Sequence, residues 1–190
     1  RTLAYRAWVE HNRQLVERAS RGRLGYVHVA DMGKAAMARL AVDLDARAYG
    51  GDGVVLDVRG NTGGFVSPYV LDVFARRGYL SMTRRGTEPV PGRPYVGQRA
   101  FDLPTVLVTN RQSVSDAENF TEGYRALGLG KVVGEPTAGG VIFTSETTLL
   151  DVFQTCSVKP RAFDARCSDV PPTAVTVLYA AGICGPENWL

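Results

Sequence analysis

Cysteine and histidine are scarce in this chain, and so is concentrated charge of either sign. The three cysteines, Cys156, Cys167 and Cys184, all fall in the last stretch, and His11 and His28 are the two histidines. An odd, widely spaced set of cysteines fits neither a disulfide framework nor a zinc site. The thiols are therefore read as unpaired groups in a reducing compartment, and no metal or other cofactor is expected. No apolar run approaches the ~18 residues needed to cross a bilayer. No segment has the charged, apolar and small-residue layout of a secretion signal. The expectation is a soluble, cytoplasmic protein with no membrane partner. The net charge is only +3, and the early arginines (Arg1, Arg6, Arg13, Arg18, Arg21, Arg23) are scattered rather than interleaved with aromatics. A nucleic-acid footprint needs a concentrated basic face, so no nucleic-acid partner is expected.

What is present is ordinary globular material. Hydrophobic residues make up 45% and charged residues 22% of 190 positions, enough for one domain, or one domain plus a fragment, with a real core. The opening Arg1-Thr2-Leu3 reads as mid-helix, as expected of a piece cut from a longer chain.

Periodicity predicts a helix from Leu3 to Ala19, with Leu3, Trp8, Leu15 and Val16 near one face, ended by Ser20-Arg-Gly22. Leu24 to Val29 is short and rich in β-branched and aromatic residues, hence a strand, and Asp31-Met-Gly33 a turn. Lys34 to Tyr49 reads as a helix with Met37, Leu40, Ala41 and Leu44 on one side. Gly53 to Val58 and Pro104 to Thr109 are continuous apolar runs, the mark of strands buried on both faces of a parallel sheet. Val66 to Arg77 and Ser115 to Leu127 read as helices, the second with Phe120, Tyr124 and Leu127 at helical offsets and Gly128 as its stop. Gly86 to Arg99 reads as a loop, Lys131 to Gly134 and Thr147 to Val152 as strands. The alternation predicts an α/β layered domain with a largely parallel sheet flanked by helices. Residues 1–151 form the core of this reading; residues 152–190 lose periodicity and stand apart as a divergent or irregular tail, in which only Ala174 to Ala181 resembles a strand.

Two turns follow strands expected to be buried, where open α/β sheets place their sites. In Asp57-Val-Arg-Gly-Asn-Thr-Gly-Gly64, glycines let the backbone approach a ligand and aim an N–H at a developing oxyanion. The same residues also suit a plain strand-to-helix turn, and they lack the Gly-Lys-Ser/Thr ending of a phosphate loop. In the second turn a helix begins at Ser115, in the positive end of the macrodipole, where free backbone N–H groups stabilise negative charge. That suits a nucleophilic hydroxyl. Ser115-Asp-Ala-Glu118 equally matches a capping box, in which the serine only closes the helix.

Taken together, Tyr5 to Glu10, Gly25 to Val29, Asp31 to Gly33, Val54 to Asp57, Arg59, Asn61, Gly63 to Ser67, Arg84 to Thr87, Ser115-Asp116, Leu127 to Lys131, Thr137 and Gly139-Gly140 resemble the tail-specific (C-terminal processing) peptidase family, S41, and its tricorn type above all. The resemblance runs in order from residue 5 to 151. It implies a ClpP/crotonase-like fold and serine-dependent hydrolysis of peptide bonds in oligopeptides or unfolded chains. Ser115 would be the nucleophile, the N–H groups of Gly64 and Asp116 the oxyanion hole, and Gly63, Phe65, Gly139 and Gly140 the substrate-binding residues. Partners would be the polypeptide substrate and upstream domains of a longer chain, or further copies of this one.

The pattern departs from the family where a base is needed. Gly140 stands about where Ser/Lys members carry their lysine, and Lys131 comes too early, so no Ser/Lys dyad is expected. The tricorn type takes a histidine from an upstream domain; His11 and His28 read as solvated or structural, so the base is expected from outside this chain. The late glutamate of that type extrapolates to Pro172 or Thr173, with Glu187 as a displaced substitute. Leu80 or Ser81 replaces the acid that favours cationic P1 residues, so an apolar or mixed P1 is expected. Two other readings remain open at this stage: a catalytically inactive peptide-binding pseudopeptidase, and a crotonase-type acyl-CoA enzyme sharing the two-amide oxyanion hole.

Overall fold

The computed structural model describes residues 2–48, 51–92, 101–141, 147–148 and 153–154. Four apolar segments form one sheet: β1 (Leu24–His28), β2 (Gly53–Asp57), β5 (Thr105–Thr109) and β6 (Gly130–Gly134), in the order β1-β2-β5-β6. Every neighbouring pair in it is parallel, with His28 opposite Asp57, Asp57 opposite Val108, and Thr109 opposite Gly134. The carboxyl ends of β1, β2, β5 and β6 therefore lie level. The helices are α1 (Leu3–Ser20), α2 (Lys34–Ala48), α3 (Ser67–Ala75) and α4 (Asp116–Ala126). Two short pairings complete the described chain, β3 (Ser81–Met82) with β4 (Val90–Pro91) and β7 (Thr147–Thr148) with β8 (Phe153–Gln154), both antiparallel.

Side chains alternate across the sheet with the period of a strand. Val54 and Leu56 of β2, Leu107 of β5 and Val132 of β6 join Leu40 and Leu44 of α2, Val70, Val73 and Phe74 of α3, and Phe120 and Tyr124 of α4 in the larger core. Val55, Val108 and Val133 point the other way and pack with Tyr26 under Val16 of α1. All of β2 is buried, as expected of a strand covered on both faces.

Several expectations shift by a residue or two at element ends, where fraying makes boundaries soft. Others change in substance. Leu15 and Val16 lie on the inward face of α1 as expected, joined by Asn12 and Ser20, but Leu3 is 83% exposed, because a helix turn must be settled on β1 before its side chains have anything to bury against. Leu127 is also exposed, since α4 ends one residue earlier and Gly128, at φ 62°, turns the chain toward β6. The stretch around the Arg84-Arg85-Gly86 turn carries a hairpin rather than only a loop. The expected strand Thr147 to Val152 is Thr147–Thr148 turning back on Phe153–Gln154, with 149–152 outside the described residues. Tyr49, Cys156, Cys167, Cys184, Ala174 to Ala181, Pro172, Thr173 and Glu187 also lie outside them.

Candidate active site

Three turns converge at the carboxyl end of the sheet, following β2, β5 and β6. Asn61, fully buried, ties the β2 turn to the end of β1 and to the β5 turn. Its side-chain amide donates to the Val29 carbonyl at 2.7 Å, its Oδ1 accepts the Gly63 N–H at 2.9 Å, and its main-chain carbonyl accepts the Val114 N–H at 3.0 Å. Buried Ser113 donates to the Val58 carbonyl at 2.8 Å, and its own carbonyl accepts the Ala138 N–H at 3.1 Å. Each bond satisfies a polar group that water cannot reach, so the turns are held at fixed positions rather than merely near one another.

Ser115 stands at the junction of the β5 turn and α4 with φ 55° and ψ −120°. A side chain in that left-handed region is strained, and such strain persists only where the surroundings over-determine it. Ordinary N-cap residues are extended. The reciprocal half of the capping box is realised, with the Ser115 N–H donating to Glu118 Oε2 at 2.8 Å, while the Glu118 N–H closes on the Ser115 main-chain carbonyl, also at 2.8 Å. A sharp strand-to-helix turn of this kind thrusts a serine hydroxyl out from the backbone.

The glycine turn lies directly against it. A methyl group on Gly63 would come within 2.8 Å of Ser115 Cβ, 3.0 Å of the Val114 carbonyl and 3.3 Å of the Asp116 nitrogen. The next residue, Gly64, is bridged to Met32: the Met32 N–H donates to the Gly63 carbonyl at 2.8 Å and the Phe65 N–H to the Met32 carbonyl at 2.9 Å. Among the described residues the N–H groups of Gly64 and Asp116 have no hydrogen-bond partner. Phe65 follows and is 86% exposed.

Two buried carboxylates brace this corner. Asp116 accepts the Ser67 N–H at 2.9 Å and its hydroxyl at 2.5 Å, tying the start of α3 to the start of α4. Glu118 reaches the turn after β6, where its Oε1 accepts the Thr137 hydroxyl at 3.0 Å and the Gly139 N–H at 2.7 Å, and the Gly140 N–H lies 3.2 Å from Oε2. The main-chain donors of Gly139 and Gly140 are thus committed within the protein. Sequence reasoning treated Glu118 as a capping residue only; its acidic identity at N3 was visible, but the loop it holds was not.

His28 serves the opposite face of the sheet. Its ring nitrogens lie 2.9 Å from the Tyr5 hydroxyl and 2.8 Å from the Arg59 carbonyl, and its ring meets Trp8 edge-on. Beside it, fully buried Asp57 accepts Tyr26 Oη–H at 2.7 Å and Arg59 at 2.5 Å, while the Arg59 guanidinium covers Trp8. Burial is the largest single influence and opposes the charge on Arg59, but hydrogen bonding to Asp57, attraction by its carboxylate and the contribution of Tyr26 together outweigh it and raise the pKa. His11 is exposed on α1, across the sheet from α4. Lys131 is exposed at the amino end of the sheet, away from Ser115. Leu80 and Ser81 are exposed at the start of the hairpin. Among the described residues no group of three or more His, Cys, Asp or Glu is placed to hold a metal, and no helix is long and apolar enough to cross a membrane.

A model of peptidase family S41 matches residues 23–159. Tricorn protease of Thermoplasma volcanium is 37% identical over 144 residues, which is 75% of this chain and 13% of that protein. Tricorn protease homolog 1 of Streptomyces coelicolor is 41% identical over 140 residues, 74% of this chain and 13% of its own length. The chain therefore spans about an eighth of these relatives. The crystal structure of the tricorn protease superposes with a TM-score of 0.66 at 30% identity, covering 77% of this chain and 14% of that one. The photosystem II D1 C-terminal processing protease shares the fold, with a TM-score of 0.52 at 22% identity over 74% of this chain and 38% of its own.

Proposed function

The chain belongs to peptidase family S41, and from that premise we propose that it is the nucleophile-bearing core of a serine peptidase acting on oligopeptides or unfolded chains. Ser115 attacks the scissile carbonyl, and the N–H groups of Gly64 and Asp116 receive the oxyanion. The observation that carries this reading is the strained Ser115 elbow packed against Gly63, with amides on the residues following each that have no partner among the described residues. Strain and unpaired donors in one corner both cost stability, and a peptidase uses them: the first exposes the hydroxyl, the second stabilises charge that develops only in the transition state.

A serine hydroxyl needs a base to take its proton. Among the described residues His28 is engaged by Tyr5 and Arg59, and Gly140 stands about where the family's lysine would be, so we place the base outside this chain, in another part of the intact protein or a second copy. Peptide substrate would lie across the corner beside Gly63, Phe65 and the Gly139-Gly140 turn, with an apolar or mixed residue at P1. Acyl-enzyme formation would pass the serine proton to that base, and the base would return it to the leaving amine.

The test is fluorophosphonate labelling and peptide hydrolysis by the intact protein. Wild type should be labelled at Ser115 and should turn over peptide, and Ser115→Ala should do neither. Equal labelling of both would end the serine assignment. Measurable peptide affinity without turnover in the intact wild type would identify a binding module instead.

A further inference from the structure

We infer that Glu118 is a positioning residue that locks the nucleophile turn to the turn after β6, an inference resting on the serine reading of this corner. The residue is 6% exposed, and the hydrogen bonds its carboxylate accepts come from neutral donors: the N–H groups of Ser115, Gly139 and Gly140 and the hydroxyl of Thr137, at 2.7–3.3 Å. No Lys or Arg ion pair with Glu118 occurs among the described residues. A buried carboxylate held this way draws its compensation from oriented dipoles, and each donor is fixed in direction as well as distance.

The geometry gives it a use beyond capping. Oε2 holds the Ser115 main chain in a conformation a serine would otherwise leave, at φ 55°. Oε1 holds Thr137 and Gly139 of the turn that borders the same corner on its far side, and the Gly140 N–H lies between the two oxygens. If the clamp opened, Ser115 could relax toward an extended cap, its hydroxyl would swing, and the Asp116 N–H would turn with it. Only a carboxylate satisfies the arrangement. Glutamine would present an NH2 group to N–H donors, leaving a buried clash of like polarity, so Glu118→Gln removes the clamp while nearly preserving volume.

The experiment uses the intact protein, comparing wild type, Glu118→Gln and Thr137→Val. For Glu118→Gln, kcat and the fluorophosphonate labelling rate should fall about 10- to 100-fold while KM stays within about threefold, the signature of lost orientation rather than lost binding. Hydrogen–deuterium exchange should rise together in the segments around residues 113–120 and 135–141. An unchanged labelling rate, or a raised KM with kcat intact, would overturn the inference. Should Glu118→Gln fail to fold, Thr137→Val removes one donor and leaves the carboxylate; it should slow labelling about 3- to 10-fold, and a wild-type rate would refute the clamp. If Ser115→Ala keeps wild-type turnover, the serine reading fails on its own, and exchange alone decides about Glu118: joint loss of protection in both segments sustains the clamp, unchanged protection rejects it.

Discussion

Single side chains bear unequal burdens in this molecule. Gly63 sits at φ 79° with Ser115 against its Cα, and a methyl on Gly64 would stand 1.9 Å from the Met32 carbonyl. Alanine at either position should cost more than about 1 kcal/mol and abolish serine labelling, read by chemical denaturation alongside the probe; a Gly64→Ala protein with native stability and labelling would contradict the packing. Tyr26 and Tyr124 make a separate, pH-dependent contribution. Burial, reinforced by the Asp57 carboxylate, raises the Tyr26 pKa above its ordinary 10.0, and burial raises that of Tyr124 against the opposing hydrogen bond from Thr105. Above pH 10 the unfolded chain loses phenolic protons that the folded chain keeps, so stability is full below that pH and falls as pH rises. The slope should reach about 1.4 kcal/mol per pH unit for each tyrosine. Denaturation midpoints followed into alkali should fall less steeply for Tyr26→Phe and Tyr124→Phe; curves parallel to wild type would show that the phenols do not titrate differently on folding.

At the level of elements, α4 is the hub. Ser115 caps it, its first turn carries Glu118, its first residue holds α3 through Ser67, and its inner face buries Phe120 and Tyr124 against Phe74. Ser67→Ala removes a hydroxyl bonded to a buried carboxylate and should destabilise by about 1–3 kcal/mol, measured by urea unfolding with an unchanged m-value. Phe120→Ala opens a cavity beneath the site and should cost about 3–5 kcal/mol. A cost below about 1 kcal/mol would mean that α4 is not seated on the core as described. Element types were largely legible in the sequence because their signals are local. The β2 run Val54-Val-Leu56 announced a doubly covered strand, and Leu40, Ala41 and Leu44 announced the inner face of α2. Leu3 and Leu127 misled because periodicity assigns a face without knowing where the neighbouring layer ends.

The whole molecule raises the question of completeness. The chain covers about an eighth of relatives that carry the tricorn name, and the base proposed for Ser115 lies outside it. The 190 residues alone should hydrolyse peptides at a rate orders of magnitude below that of the intact protein, as loss of a general base from a serine hydrolase predicts. Efficient turnover by this chain in isolation, checked against Ser115→Ala, would place the base within it.

Composition, periodicity and turn chemistry by themselves determined the alternation of strands and helices, the parallel sheet, and which turns would end at its carboxyl edge. These follow from interactions between near neighbours along the chain, which any sequence displays. Only the tertiary structure decided that Gly63 touches Ser115, that Asn61 ties its turn to Val29 and Val114, and that Glu118 reaches Thr137, Gly139 and Gly140. Those contacts join residues far apart in the chain, and no local pattern encodes them. They arise because parallel register brings the ends of β2, β5 and β6 level, so that groups with no sequence relation must satisfy one another's hydrogen bonds.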